Sequence, residues 1–74
     1  MQPPKYRKIT PALTRAGFVR DHDTGSHSQW THPDAPGLVT TKNKPAESPP
    51  PDTWKSIRTQ IQTMGLLERF DENL

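Results

Sequence analysis

Cysteine is absent from the 74-residue sequence, which excludes disulfides and any thiolate-ligated zinc site as sources of stability. Apolar residues are scarce as well: they make up 28% of the chain and aromatic residues 7%. A chain this short holds one small domain, which excludes multi-domain machines and large cofactor folds. A core built from so few apolar groups contributes on the order of 3–5 kcal/mol net, so a partner that stabilises the fold is expected. No run approaches the roughly 18 apolar residues that a membrane span needs. The stretch Met1–Tyr6 has no apolar core, which predicts no signal peptide, no membrane association and a reducing, cytoplasmic setting. Nine prolines would suggest disorder if spread evenly, but four fall within Pro45–Pro51 and leave periodic segments on either side.

Charge gives a weak functional hint. Lys plus Arg number 10 against 8 Asp plus Glu, a net charge of +2. Glu68, Asp71 and Glu72 against Arg69 leave the last seven residues at −2, so residues 1–67 carry +4. That is a modest attraction for polyanions such as nucleic acid.

Periodicity divides the chain. Tyr6, Ile9, Leu13 and Ala16 fall on one helical stripe, and Gly17 is suited to end it. Pro11 either kinks that helix or marks a regular start with Thr10 as N-cap; the spacing favours a helix over most of 5–16, irregular near Pro11. Phe18–His22 and Ser26–His32 read as strands around an Asp23-Thr24-Gly25 turn, and Pro33–Gly37 as a second turn before a strand at Leu38–Thr41. Lys42–Pro51 is a proline-rich connection without regular structure. Asp52 or Thr53 then caps a helix from Trp54, whose stripe is Trp54, Ile57, Ile61 and Met64, with Gly65 as the stop. Residues 66–74 add a short helical turn carrying Phe70 or fray. The fold class is therefore α+β: one αβββα domain over 1–74, core about 5–66, with two helices on one face of a three-stranded antiparallel sheet.

Strand parity singles out one histidine. Ser28 and Trp30 share a face, and Trp30 is large and apolar enough to lie under the helices, so His27 stands on the open face. An imidazole there can exchange protons near neutral pH; the plainer alternative is an exposed histidine without a role. His22, His27 and His32 recur every five residues, which raises the question of a metal site. Five is an odd step, so His27 and His32 point to opposite faces, and no H-E-x-x-H-like motif accompanies them. No metal and no cofactor is expected.

Four landmarks resemble the HicA toxins: Gly17-Phe18-Val19, Gly25-Ser26-His27-Ser28-Gln29-Trp30, His32-Pro33-Asp34 and Thr53-Trp54-Lys55-Ser56-Ile57-Arg58. Their order and spacing match over about residues 5–66. The chain departs from the family pattern at Thr41–Pro45, which lacks the usual histidine, in the proline-rich Ala46–Pro51, and at Pro11. The resemblance implies a fold like that of double-stranded RNA-binding domains. It also implies an endoribonuclease toxin of a type II toxin–antitoxin pair, an mRNA interferase, with the G-S-H histidine, here His27, as the essential residue. A HicB-type antitoxin covering the His27 face is implied too.

Metal-free RNA cleavage needs a group to take the 2′-OH proton and cations to hold phosphate. His27 suits the first role, and Arg20, Lys42 and Lys44 are candidates for the second. Gly25 and Ser26 could present backbone amides or a hydroxyl to phosphate, beside their role in the turn. Trp30 and Trp54 read as core rather than as base-stacking platforms. Lys55 and Arg58 fall on the exposed side of the last helix, available to RNA or an acidic partner. The alternative function is a non-catalytic RNA-binding or protein-interaction module of the same fold.

Overall fold

In a computed structural model, described over residues 2–74, the chain runs α1 (Tyr6–Arg15), β1 (Val19–Thr24), β2 (His27–His32), β3 (Ala35–Lys42), α2 (Pro51–Thr63) and α3 (Leu67–Glu72). The strands form an antiparallel sheet in the order β1-β2-β3. Both expected helical stripes face inward. Tyr6, Ile9, Ala12 and Leu13 of α1 pack with Ile57 and Ile61 of α2 on Phe18, Trp30 and Val39. The expected α+β layout is present, with α3 as a third helix.

α1 crosses Pro11 without interruption, so a regular start at Thr10 does not hold. The proline removes one donor, the one that would meet the Arg7 carbonyl, and Arg7 is exposed, where water can replace it. The helix begins at Tyr6 because distant carbonyls cap it. Tyr6 N–H donates to the Glu47 carbonyl at 2.9 Å and Arg7 N–H to the Pro45 carbonyl at 3.1 Å. The proline-rich connection is thus an ordered cap for orphan helix donors, and Pro49 within it is fully buried.

Three boundaries differ from the sequence reading. The first hairpin turns at Gly25-Ser26, because Asp23 pairs with Ser28 and Thr24 with His27. Gly25 has φ +55° while Ser26 does not take a positive φ, the pattern of a two-residue type II′ turn. Asp21 falls between the pairs Arg20–Trp30 and His22–Gln29, and this bulge absorbs the odd residue. β3 starts at Ala35 rather than Leu38 and carries Pro36 on the sheet edge, where a missing ladder donor is tolerated. α2 starts at Pro51 with Pro50 as N-cap, and neither Asp52 nor Thr53 caps it; a proline at N1 has its φ preset and loses only an orphan donor.

α3 brings the fully buried Phe70 into the core, so the packed core reaches past residue 66. Phe70 meets the half-buried Trp54 at a ring separation of 6.1 Å. Arg58 lies over the Trp54 ring and forms a two-pronged pair with Asp71, at 2.6 and 3.0 Å. Arg58 is therefore committed within the protein, unlike Lys55, which is exposed. No helix of the described residues is long and apolar enough to cross a membrane.

Candidate active site

β2 alternates as parity requires: Ser28, Trp30 and His32 are buried, while His27 is exposed. Trp30 sits in the core with its indole N–H donating to Thr41 Oγ1 at 2.9 Å. His27 directly follows the Gly25-Ser26 turn and pairs across the sheet with Lys42. Its Nδ1 lies 3.2 Å from the Ser26 hydroxyl. That contact engages one ring nitrogen and leaves Nε2 for chemistry outside the protein.

Asn43 ties this turn to the end of β3. Its backbone N–H donates to the Ser26 carbonyl at 2.7 Å, and its side-chain amide donates to the Gly25 carbonyl at 3.3 Å. The buried Ser28 hydroxyl donates to the Asp23 carboxylate and lies 2.6 Å from the Asn43 amide oxygen. The residues on both sides of His27 are thereby fixed from the neighbouring strands. Nothing in the sequence pattern of Asn43 announced this, because its partners lie 15–18 positions away.

Two clefts adjoin. The first, about 470 Å³, lies between β3 and α2, and His27, Lys42 and Tyr6 share its wall with the polar side chains of Thr53, Ser56 and Gln60. The second, about 250 Å³, is lined by Arg20, Lys42 and Lys44 with Tyr6, Thr10 and Asn43. The three expected phosphate-holding cations thus converge on one cleft, and Lys42 links it to His27. Gly25 and Ser26 border neither cleft; they form the turn beside His27. Arg20 lies 4.9 Å above the Trp30 ring, which aligns its guanidinium. Lys42 carries an exposed ion pair with Glu47 at 3.2 Å, so a carboxylate overlooked in the sequence opposes one of the cations.

Tyr6 was also missed, since it reads as one member of an apolar stripe. Its ring is buried, and the side chain lines both clefts. Burial pushes its phenol above the ordinary value, against a smaller opposite pull from Lys42, so it stays a protonated donor at physiological pH. A tyrosine in such a stripe carries a polar tip that must surface somewhere, which was the available signal.

His32 lies on the opposite side from His27 and belongs to the core. Its Nδ1 accepts the Asp34 N–H at 3.0 Å, so the ring hydrogen sits on Nε2 and is donated to the Ala16 carbonyl at 3.0 Å. Phe18 meets its ring edge-on at 5.0 Å. A side chain on Gly17 would put Cβ 2.7 Å from His32 Nε2, which, with the positive φ there, reserves that position for glycine. Among the described residues, no three His, Asp or Glu side chains are grouped so as to hold a metal ion.

A family model described as HicA toxin of bacterial toxin–antitoxin matches residues 6–66. No curated protein sequence matches the chain.

Proposed function

The chain belongs to the HicA toxins of bacterial toxin–antitoxin systems, and from this we propose that it is a cytoplasmic endoribonuclease that cleaves mRNA through His27 and is neutralised by a HicB-type antitoxin. One observation carries the reading: His27 is the exposed histidine that shares a cleft with a cation, Lys42. In the step we assign to it, the imidazole takes the proton of a ribose 2′-OH. The freed oxygen attacks the adjacent phosphorus, the bond from phosphorus to the 5′ oxygen breaks, and that oxygen takes a proton from the imidazolium or from water. Lys42 offsets the charge of the reacting phosphate, which is largest as the bonds exchange, and Arg20 and Lys44 hold RNA phosphate in the adjoining cleft. The hydroxyl of Ser26 orients the ring, and Gly25 permits the turn that carries it. An antitoxin that covers the His27 side blocks entry of RNA without altering the fold.

The test is His27→Ala. Acid–base catalysis by one side chain contributes about 100- to 10,000-fold, so RNA cleavage should fall by at least the lower figure and growth arrest on expression should vanish. An exposed strand residue contributes little packing, so the melting temperature should barely move. A folded His27→Ala protein with full nuclease activity would falsify the assignment.

A further inference from the structure

Tyr6 and Lys42 are common to both clefts, and they belong to elements far apart in sequence. On one side of them stands His27; on the other stand Arg20 and Lys44. We propose that the two clefts form one groove for a single RNA strand, with the scissile phosphate held by the Tyr6 hydroxyl and Lys42 beside His27, and a neighbouring phosphate held by Arg20 and Lys44. This inference rests on the nuclease reading above and adds a second phosphate site and a hydrogen-bond donor from α1.

The groove has the features such a site needs. Its cations come from β1, β3 and the segment after it, so they converge only in the fold. Tyr6 has a buried ring and lines both clefts, so packing holds its phenol in position before any ligand arrives. A phenol keeping its proton can donate to a phosphate oxygen, and such charge-assisted bonds are stronger than neutral ones. Glu47, paired with Lys42 at 3.2 Å, is the group a phosphate must displace. That pair is exposed on both sides, so exchanging one anion for another costs little. Clefts of about 470 and 250 Å³ suit single nucleotides in sequence along a strand.

Cleavage kinetics on single-stranded RNA oligonucleotides of two to six nucleotides separate the parts. Wild type should gain in kcat/KM as the strand lengthens past the scissile phosphate and reaches the second site. Arg20→Gln combined with Lys44→Gln should remove that gain through a KM about tenfold higher on the longer strands. Lys44→Gln alone, an exposed change that leaves packing intact, should show the same pattern with a smaller KM change. Tyr6→Phe keeps the ring and should lower kcat/KM about 10- to 100-fold at every length, with an unchanged melting temperature. A length gain that survives the Arg20 and Lys44 changes, or a Tyr6→Phe protein with wild-type kinetics, overturns the groove and leaves the nuclease reading standing. A wild-type protein that cleaves no RNA of any length overturns both.

Discussion

Three histidines stand five positions apart, and their surroundings give each a different part. His22 is exposed on β1 and pairs across the sheet with Gln29. His27 borders a cleft with Lys42. His32 is a buried bracket between the end of α1 and the turn after β2, joined to Ala16 and Asp34 through its two ring nitrogens. The expected consequences differ accordingly. His22→Ala should be nearly silent in stability. His32→Ala leaves a cavity beside Phe18 and deprives the Ala16 carbonyl and Asp34 N–H of their partner, so it should cost about 2–4 kcal/mol. Urea denaturation measures this directly, and equal midpoints for His32→Ala and wild type would refute the structural part given to His32. Loss of toxicity in His32→Ala would therefore report unfolding rather than a missing proton carrier.

Helices α2 and α3 are joined by an ion pair and by an aromatic contact, and the two are unequal. The Arg58–Asp71 pair is geometrically good but a third or more exposed on both sides, which limits it to less than about 1 kcal/mol. Phe70 is fully buried, and truncating such a side chain costs about 3–5 kcal/mol, comparable with the whole stability of a domain this small. Asp71→Asn should thus lower the melting temperature by a few degrees, and Phe70→Ala should leave the chain largely unfolded by circular dichroism at 37 °C. The opposite ranking would mean that α3 is held by charge and that Phe70 is incidental. At the other end of the chain, α1 depends on the carbonyls of Pro45 and Glu47 in the same way that α2 depends on α3. In each case an irregular or short segment satisfies what the longer helix cannot supply itself.

At the scale of the molecule, helices pack on the sheet, and His27 stands exposed beside the cleft between β3 and α2. The proposed chemistry uses the ribose hydroxyl as nucleophile and a histidine as proton carrier, which makes a prediction about conditions and products. Cleavage should persist in excess EDTA and leave 2′,3′-cyclic phosphate or 3′-phosphate ends. A 2′-deoxy substitution at the scissile nucleotide should block it, since the nucleophile is then missing. A metal-activated water would instead give EDTA sensitivity and commonly 3′-hydroxyl with 5′-phosphate ends; finding those ends, with activity restored by added metal, would replace the histidine mechanism.

Local periodicity was enough to locate both long helices, the three strands and the alternation of β2 that buries Ser28 and Trp30 and exposes His27. Those features follow from the 3.6-residue and two-residue repeats, which need no knowledge of distant neighbours. The four family landmarks were likewise legible, because they are short and lie in order along the chain. The tertiary structure decided the rest. α1 begins at Tyr6 because the carbonyls of Pro45 and Glu47, far along the chain, cap it. The hairpin turns one position later than its Asp-Thr-Gly signal suggests because a bulge at Asp21 keeps the pairing in step. Tyr6 became a cleft wall, Glu47 a rival for Lys42, Asn43 the anchor of the turn and Phe70 a core residue. Each of these depends on residues brought together from different elements, and no repeat within a single segment encodes such a meeting.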